Sequence, residues 1–460
     1  MRTSRLLHAL LLAGGVACLA CGAGAASRQQ SPSSPAAARG SSAGQPPPNG
    51  ERVFVRVAGA SAEQIAVIDA AGGAIERLLP DGVPAPDWSA LYTVAPRGGA
   101  STQTIVQAID PASGAVLRQQ ALDGDYALAA TDLDGTPGGL SPSGRWLALT
   151  ATSHGDYAAR SSELAVVDTS FMTPPKLVAL DGSFEFDALS DDGASLFLTE
   201  RTRPDVNGSL DYRVRRFDLN AGALDPTIVV EKGGPEQMRG LRLTAVAAPN
   251  GDRLYSLYTN GPDGAFVHAL TLSGRFAVCI DLPNPPGRGA AAGSPAQEDL
   301  LLAWSLALSP GGSLLYAVNS ASGQVVTIDL NSNTVRRSVM LGAQPPRLRG
   351  PLEALLQWLA PAPAAAKQLM HGGAALSADG GTLFVATGNG VLAIDTGTLQ
   401  PRGRILGGQA IVGLRLSPDG ARLYALPADG NDLLVFAASS GGLLARLQTG
   451  GRPERIWQAR

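Results

Sequence analysis

An all-β chain closed into a ring, a β-propeller of eight four-stranded blades with seven as the alternative, is the fold class this sequence predicts. Three observations predict it. A turn phrase recurs six times, as LSPSG (140–144), LSDDG (189–193), AAPNG (247–251), LSPGG (308–312), LSADG (376–380) and LSPDG (416–420). Each copy is followed by an apolar strand: WLALT, LFLTE, LYSLY, LYAVN, LFVAT and LYALP. Turn-plus-strand units repeated at tens of residues mark a closed or stacked repeat architecture. The third observation is a matched pair of defects. The first unit begins at Arg52 without an inner strand, and the last segment, ERIWQAR (454–460), is a strand with no unit after it. Both disappear if the last strand completes the first blade, which removes the exposed edges.

Before the ring lies a leader. Arg2 and Arg5 precede an apolar stretch from Leu6 to Ala20, so residues 1–25 read as a signal peptide. That stretch is shorter than the roughly 20 apolar residues a membrane span needs. Two processing routes fit. Ala23-Gly24-Ala25 suits a general signal peptidase, whereas Leu19-Ala20-Cys21 resembles the end of a bacterial lipobox, which implies lipidation of Cys21. Residues 26–50, rich in Ser, Pro and Gln, cannot bury a core and read as a disordered tether. An extracytoplasmic location follows, either membrane-anchored as a lipoprotein or secreted.

From Glu51 onward the chain reads strand, turn, strand. Third strands can be located as IAVIDA (65–70), IVQAID (105–110), LAVVDT (164–169), RRFDLN (215–220), VHALTL (267–272), VVTIDL (325–330), VLAIDT (391–396) and LLVFAA (433–438). Asp69, Asp110, Asp168, Asp218, Asp329 and Asp395 recur where these strands end, and they read as turn residues that bond backbone amides further on. The widest gap between turn glycines runs from Gly312 to Gly380. It holds an insert in which Pro351 can open a helix and Leu352, Leu355, Leu356 and Leu359 keep helical spacing, so a helix is expected near 351–370. Packing on the rim is the plain reading of it; a partner-binding element or a lid is the sharper one.

Composition narrows the function classes. The chain has 460 residues, 45% hydrophobic and 16% charged, with a net charge of −3. There is no run of Lys or Arg and no basic patch interleaved with aromatics, which argues against nucleic acid. After processing only His154, His268 and His371 and the single Cys279 remain beyond the tether. No Gly-x-Ser-x-Gly elbow and no His-Glu-x-x-His pair is present, and no cofactor and no metal site is expected. Cys279 reads as a small buried hydrophobe. Asp205 to Asp211 places oxygens at alternate positions, as hard-cation loops do, but without a downstream Glu; it and Asp132-Leu133-Asp134-Gly135 read as polar loops.

At LALSPGGSLLYAVNSASGQVVTIDL (306–330) and LRLSPDGARLYAL (414–426) the chain resembles the YVTN-type repeats of bacterial cell-surface and periplasmic β-propellers, and the wider WD40-like set. Tyr316-Ala317-Val318-Asn319 stands where the tetrapeptide falls. The resemblance spans about residues 52–460 and implies a fold used for interaction platforms, cofactor-less lactonases and dehydrogenase subunits. A lactonase would gather His, Arg and Glu in the channel, and His371, Arg242 and Glu185 stand at comparable offsets before their turns. Glu185, Arg242, Trp304 and His371 are therefore the expected ligand-binding residues of the channel mouth. The expected function is a non-catalytic, monomeric binding or scaffolding module of the cell envelope, meeting a protein, peptide or glycan and touching the membrane only through its lipid. The alternative is a cofactor-independent lactonase or other hydrolase on the same ring.

Overall fold

The computed structural model describes residues 50–59, 62–96, 103–132, 136–152, 161–202, 211–230, 238–260, 264–274, 276–284, 300–341 and 373–460. All of them belong to one compact unit, Ala43–Arg460. The leader with Cys21, residues 26–49 of the tether, the insert near 351–370, His154 and His371 lie outside the described residues.

Eight antiparallel sheets follow one another along the chain. Blade 1 joins Arg52–Pro80 to the C-terminal strand Arg452–Ala459. Blades 2 to 8 are Val83–Asp123, Tyr126–Asp181, Phe184–Arg239, Leu241–Asp281, Trp304–Met340, Ala374–Ile405 and Ile411–Gln448. Each blade after the first begins with its innermost strand, and all eight third strands fall where the sequence locates them. The eight-blade ring is thus the fold, and the seven-blade alternative falls away.

The core is not one mass but eight layers, each shared by two neighbouring blades. Alternation along each strand sends side chains to both sheet faces, and each face meets the next blade. Val53, Val55 and Val57 of blade 1 pack with Tyr424, Leu426, Leu433 and Val435 of blade 8, so the first and last units share a layer like any other pair.

Ring closure rests on more than packing. Arg452–Ala459 pairs antiparallel with Arg52–Ala58, and Arg52 and Arg460 exchange two backbone hydrogen bonds of 2.6 and 2.8 Å. Glu51, immediately before that strand, is buried. Its carboxylate sits 2.6 Å from the Arg422 guanidinium and accepts a 2.8 Å hydrogen bond from the Tyr424 hydroxyl, both in blade 8. Burial and the neighbouring carboxylate push the Tyr424 phenol well above its usual range, so it stays a donor. Removing one partner of such a buried pair strands the other charge. Glu51→Ala is expected to lower unfolding free energy by about 3 kcal/mol, read as a drop in denaturant midpoint; an unchanged midpoint would show that the latch contributes nothing.

The repeated turn phrase does two jobs. In LSPDG (416–420) the Ser417 hydroxyl donates to Asp419, whose carboxylate accepts the Ala421 amide at 3.0 Å, and the Arg422 amide donates back to the Ser417 hydroxyl at 2.9 Å. LSDDG and LSADG repeat this pattern through Ser190–Asp192 and Ser377–Asp379. The closing glycine does more than take a positive φ. At Gly312 (φ 66°) a Cβ would come within 2.9 Å of Pro249, the turn proline of blade 5, so these two neighbouring turns pack closely.

The six aspartates that end third strands are turn residues, as expected. Each accepts amide hydrogens two or three residues on: Ala71 and Gly72 for Asp69, Ala112 and Ser113 for Asp110, Ser170 for Asp168, Asn220 and Ala221 for Asp218, Asn331 and Ser332 for Asp329, and Thr398 for Asp395. The Thr398 amide, together with Arg402, lowers the Asp395 carboxyl to about 2. Its folded value lies below the unfolded one of about 4, so its stabilisation is complete above that pH and is lost as pH falls toward 2. The stability gap between wild type and Asp395→Asn should therefore close between pH 4 and pH 2. Denaturant midpoints measured across that window check it, and a gap that stays constant would show that Asp395 is not linked to folding.

Candidate functional site

Of the four mouth residues expected from sequence, three are described. Glu185 lies on the inner strand of blade 4 and is half-exposed; Arg201 of the next strand donates to it at 2.8 and 3.2 Å. Arg242, on the inner strand of blade 5, reaches back to blade 4 and donates to the Asp187 carboxylate at 2.8 Å and the Asp187 carbonyl at 3.0 Å. Trp304 is 3% exposed and belongs to the apolar layer between blades 5 and 6, among Leu243, Leu257 and Leu315. The structure therefore gives Glu185 and Arg242 separate ion-pair partners rather than each other.

Asp187 can receive Arg242 because it is a bulge. The register with Ser195–Arg201 slips between Phe186 and Ala188, which leaves Asp187 out of the ladder with its carbonyl and carboxylate turned to the neighbouring blade. Behind this pair, a band of polar and aromatic side chains crosses the layer between blades 4 and 5. Tyr212 and Tyr258 stack at 5.2 Å between ring centroids, Tyr258 and Phe266 at 5.3 Å, and His268 meets Tyr258 edge-on. His268 is buried, which pushes its imidazole down and keeps it neutral; Asp187 opposes the shift and Arg242 adds to it. Its Nδ1 lies 3.7 Å from Cys279 Sγ, and that sulfur lies 3.9 Å from Met238 Sδ. Burial lifts the Tyr212 and Tyr258 phenols well above their ordinary value. Asp187 Oδ2, Arg242 Nε, Ser256 Oγ, Thr259 Oγ1 and His268 Nε2 are buried there without a hydrogen-bond partner among the described residues.

A second site has no counterpart among the expected residues. Trp457 is the extra residue where the closing strand bulges against Phe54 and Val55. Its freed carbonyl accepts two hydrogen bonds from Arg415 of the blade 8 inner strand, at 2.6 and 3.1 Å. This is the device seen at Asp187, an arginine of one blade on a bulge carbonyl of its neighbour. The difference is charge balance. Among the described residues no carboxylate pairs with Arg415, which solvent reaches although protein surrounds it on most sides. That is the environment of a channel wall. Crowding and the nearby Arg455 lower Arg415 to about 10, so it remains a cation at neutral pH. Arg455 lies over the Trp457 ring at 5.2 Å and donates to Asp132 of blade 3 at 2.7 Å and to the Thr136 hydroxyl at 2.9 Å. Asp132 is thereby held by an arginine; residues 133–135 and 203–210 of the two polar loops lie outside the described residues.

Arg415 does leave a sequence signal. Two positions before the turn serine, or the alanine standing in for it, the other copies carry Gly139, Ala188, Val246, Ala307 and Ala375. A lone arginine among small apolar residues marks a position released from the packing rule of its repeat.

The Asp187–Arg242 pair is largely desolvated, so breaking it from one side should be costly. Arg242→Met is expected to lose about 3 kcal/mol of stability, and adding Asp187→Asn should recover much of that loss. Denaturant midpoints of the single and double variants test it; equal losses in both would show that the carboxylate does not depend on the arginine.

No family model matches the chain, and no curated protein matches it. Among solved structures it is similar to the dihydro-heme d1 dehydrogenase NirN in complex with DHE, at 15% identity and a TM-score of 0.52, covering 88% of this chain and 75% of that one. It is also similar to apo AztD from Citrobacter koseri, at 12% identity and a TM-score of 0.53, covering 89% of this chain and 98% of that one. The periplasmic gluconolactonase PpgL of Pseudomonas aeruginosa aligns at 19% identity over 80% of this chain and 98% of that one, with a TM-score of 0.40. At such identities the likeness to NirN and AztD speaks for the fold alone, and the eight blades of this chain's β-propeller are read from its own sheets.

Proposed function

We propose that this chain is an exported β-propeller, tethered to the envelope, that binds an acidic ligand at its channel without turning it over. Arg415 carries the reading: a solvent-reached guanidinium, held in place by the Trp457 carbonyl, with Arg455 beside it and no carboxylate pairing with it among the described residues. A fixed cation hemmed in by protein is screened less than one on an open surface, and its remaining N–H groups suit a carboxylate. Export is supported by Arg2, Arg5 and the apolar run Leu6–Ala20, tethering by Cys21 and the Ser/Pro-rich tract. The resemblance of its turn phrases to YVTN-type repeats of cell-surface and periplasmic propellers supports the same location. Binding is favoured over turnover because Glu185, Arg242 and Asp132 are each held by an opposite charge rather than gathered into one acid–base cluster.

The test is retention of partners from envelope extract on wild-type protein and on Arg415→Gln, identified by mass spectrometry of proteins and glycans. A carboxylate-rich partner that weakens with added salt and drops about tenfold on Arg415→Gln, roughly 1.4 kcal/mol, is expected. Equal retention by both proteins overturns the channel site, and turnover of lactones or sugar esters by wild type would replace binding with hydrolysis.

A further inference from the structure

We propose that Met238, His268 and Cys279, in the layer between blades 4 and 5, form a binding site for a soft monovalent metal ion, Cu(I). The site is separate from the channel arginine and does not rest on it. Its parts come from three strands. His268 and Cys279 are direct partners across the hairpin of blade 5, and Met238 is brought alongside by the short strand Met238–Arg239, which pairs with Asp211–Asp218 of blade 4.

The spacing fits a single ion. Metal–sulfur and metal–imidazole bonds of about 2.3 and 2.0 Å, at angles of about 115–120°, place the sulfurs about 3.9 Å apart and sulfur and nitrogen about 3.7 Å apart. The observed separations are 3.9 Å for Cys279 Sγ to Met238 Sδ and 3.7 Å for Cys279 Sγ to His268 Nδ1. Without an ion, the single thiol hydrogen can serve only one of these two acceptors at a time.

Chemistry narrows the ion. A thioether and a thiolate favour Cu(I) over harder ions. Charge points the same way. His268 and Met238 are neutral ligands, held in a buried layer, and Cys279 alone can supply a negative charge. On binding, the thiol proton leaves to solvent, the thiolate, the Nδ1 lone pair and the thioether lone pair take the ion, and the site stays neutral. A divalent ion on the same ligands would leave a buried positive charge, which is strongly unfavourable. Cys279 is half-buried, so an ion can reach it. The buried, unpartnered His268 Nε2 is the second sign that this imidazole is kept for something other than packing.

The test uses the full chain under reducing conditions, titrated into Cu(I)–bicinchoninate, with the two leader cysteines, Cys18 and Cys21, replaced by Ser in every sample so that Cys279 is the one thiol that varies. Wild type should withdraw one more equivalent of Cu(I) than Cys279→Ser, and Met238→Leu, an apolar swap of similar volume, should hold that equivalent at least about tenfold more weakly. X-ray absorption of the loaded wild type, which needs no variant to fold, should show two sulfur neighbours and one nitrogen. Equal withdrawal by wild type and Cys279→Ser, unchanged affinity in Met238→Leu, or an ion surrounded only by oxygen and nitrogen would each overturn the site.

Discussion

Everything in this ring depends on one closure, the pairing of the first strand of the propeller with the last. A four-stranded blade buries neither of its faces by itself and leaves two edges unpaired. Seven of the interblade layers form between units adjacent in sequence, but the layer between blades 1 and 8 joins residues some four hundred positions apart. The ladder from Arg52–Ala58 to Arg452–Ala459 supplies its hydrogen bonds, Val53, Val55 and Val57 its packing, and Glu51 its charge. Glu51 is well placed because it immediately precedes the paired strand, so the ladder that closes the ring also seats its carboxylate between Arg422 and Tyr424. Docking and ladder formation therefore reinforce one another.

The same economy runs through the inner strands. In a regular ladder the backbone groups lie in the plane of their own sheet and do not turn toward a neighbouring blade. Bulges at Asp187 and Trp457 each free a carbonyl, and in both places an arginine from the adjoining blade takes it. At Asp187 the carboxylate neutralises the arginine, and the joint is closed. At Trp457 no carboxylate among the described residues neutralises it, and solvent reaches the cation. One structural device thus gives a structural joint in one place and a charged surface in another, and the difference lies in a single side chain.

Much of the fold was legible because its signals are local. The turn phrases, the six aspartates after third strands and the two unmatched end strands each follow from short-range chemistry or simple counting. The site was less legible because it depends on which face of an inner strand meets which blade. Trp304 looks like a mouth aromatic by its offset from the turn, yet period-two alternation sends it into the layer with Leu243 and Leu315. Arg415 could have been found by comparing copies position by position, since every other copy has a small apolar residue there. His268 and Cys279 become neighbours if the hairpin is reflected about Ser273 and Gly274. Met238 could not be placed that way. It arrives on a strand that leaves the regular order of its sheet, and no periodicity announces such a detour.

The two sites lie in different solvents, and that difference sets what each can hold. Arg415 is a hard, permanent charge in contact with water, so it can hold an acidic group reversibly and with sensitivity to salt. Met238 and His268 are buried and Cys279 is half-buried in a layer where a net charge is strongly disfavoured, so their donors accept only a guest whose charge one thiolate cancels. Exchanging the two sets would make both fail. A thiol in the channel would lose the low dielectric that enforces neutrality, and an unpaired guanidinium in the layer would need a carboxylate of its own. The pair Asp187–Arg242, which stands where the channel meets that layer, is what such an arginine looks like once the carboxylate has been supplied.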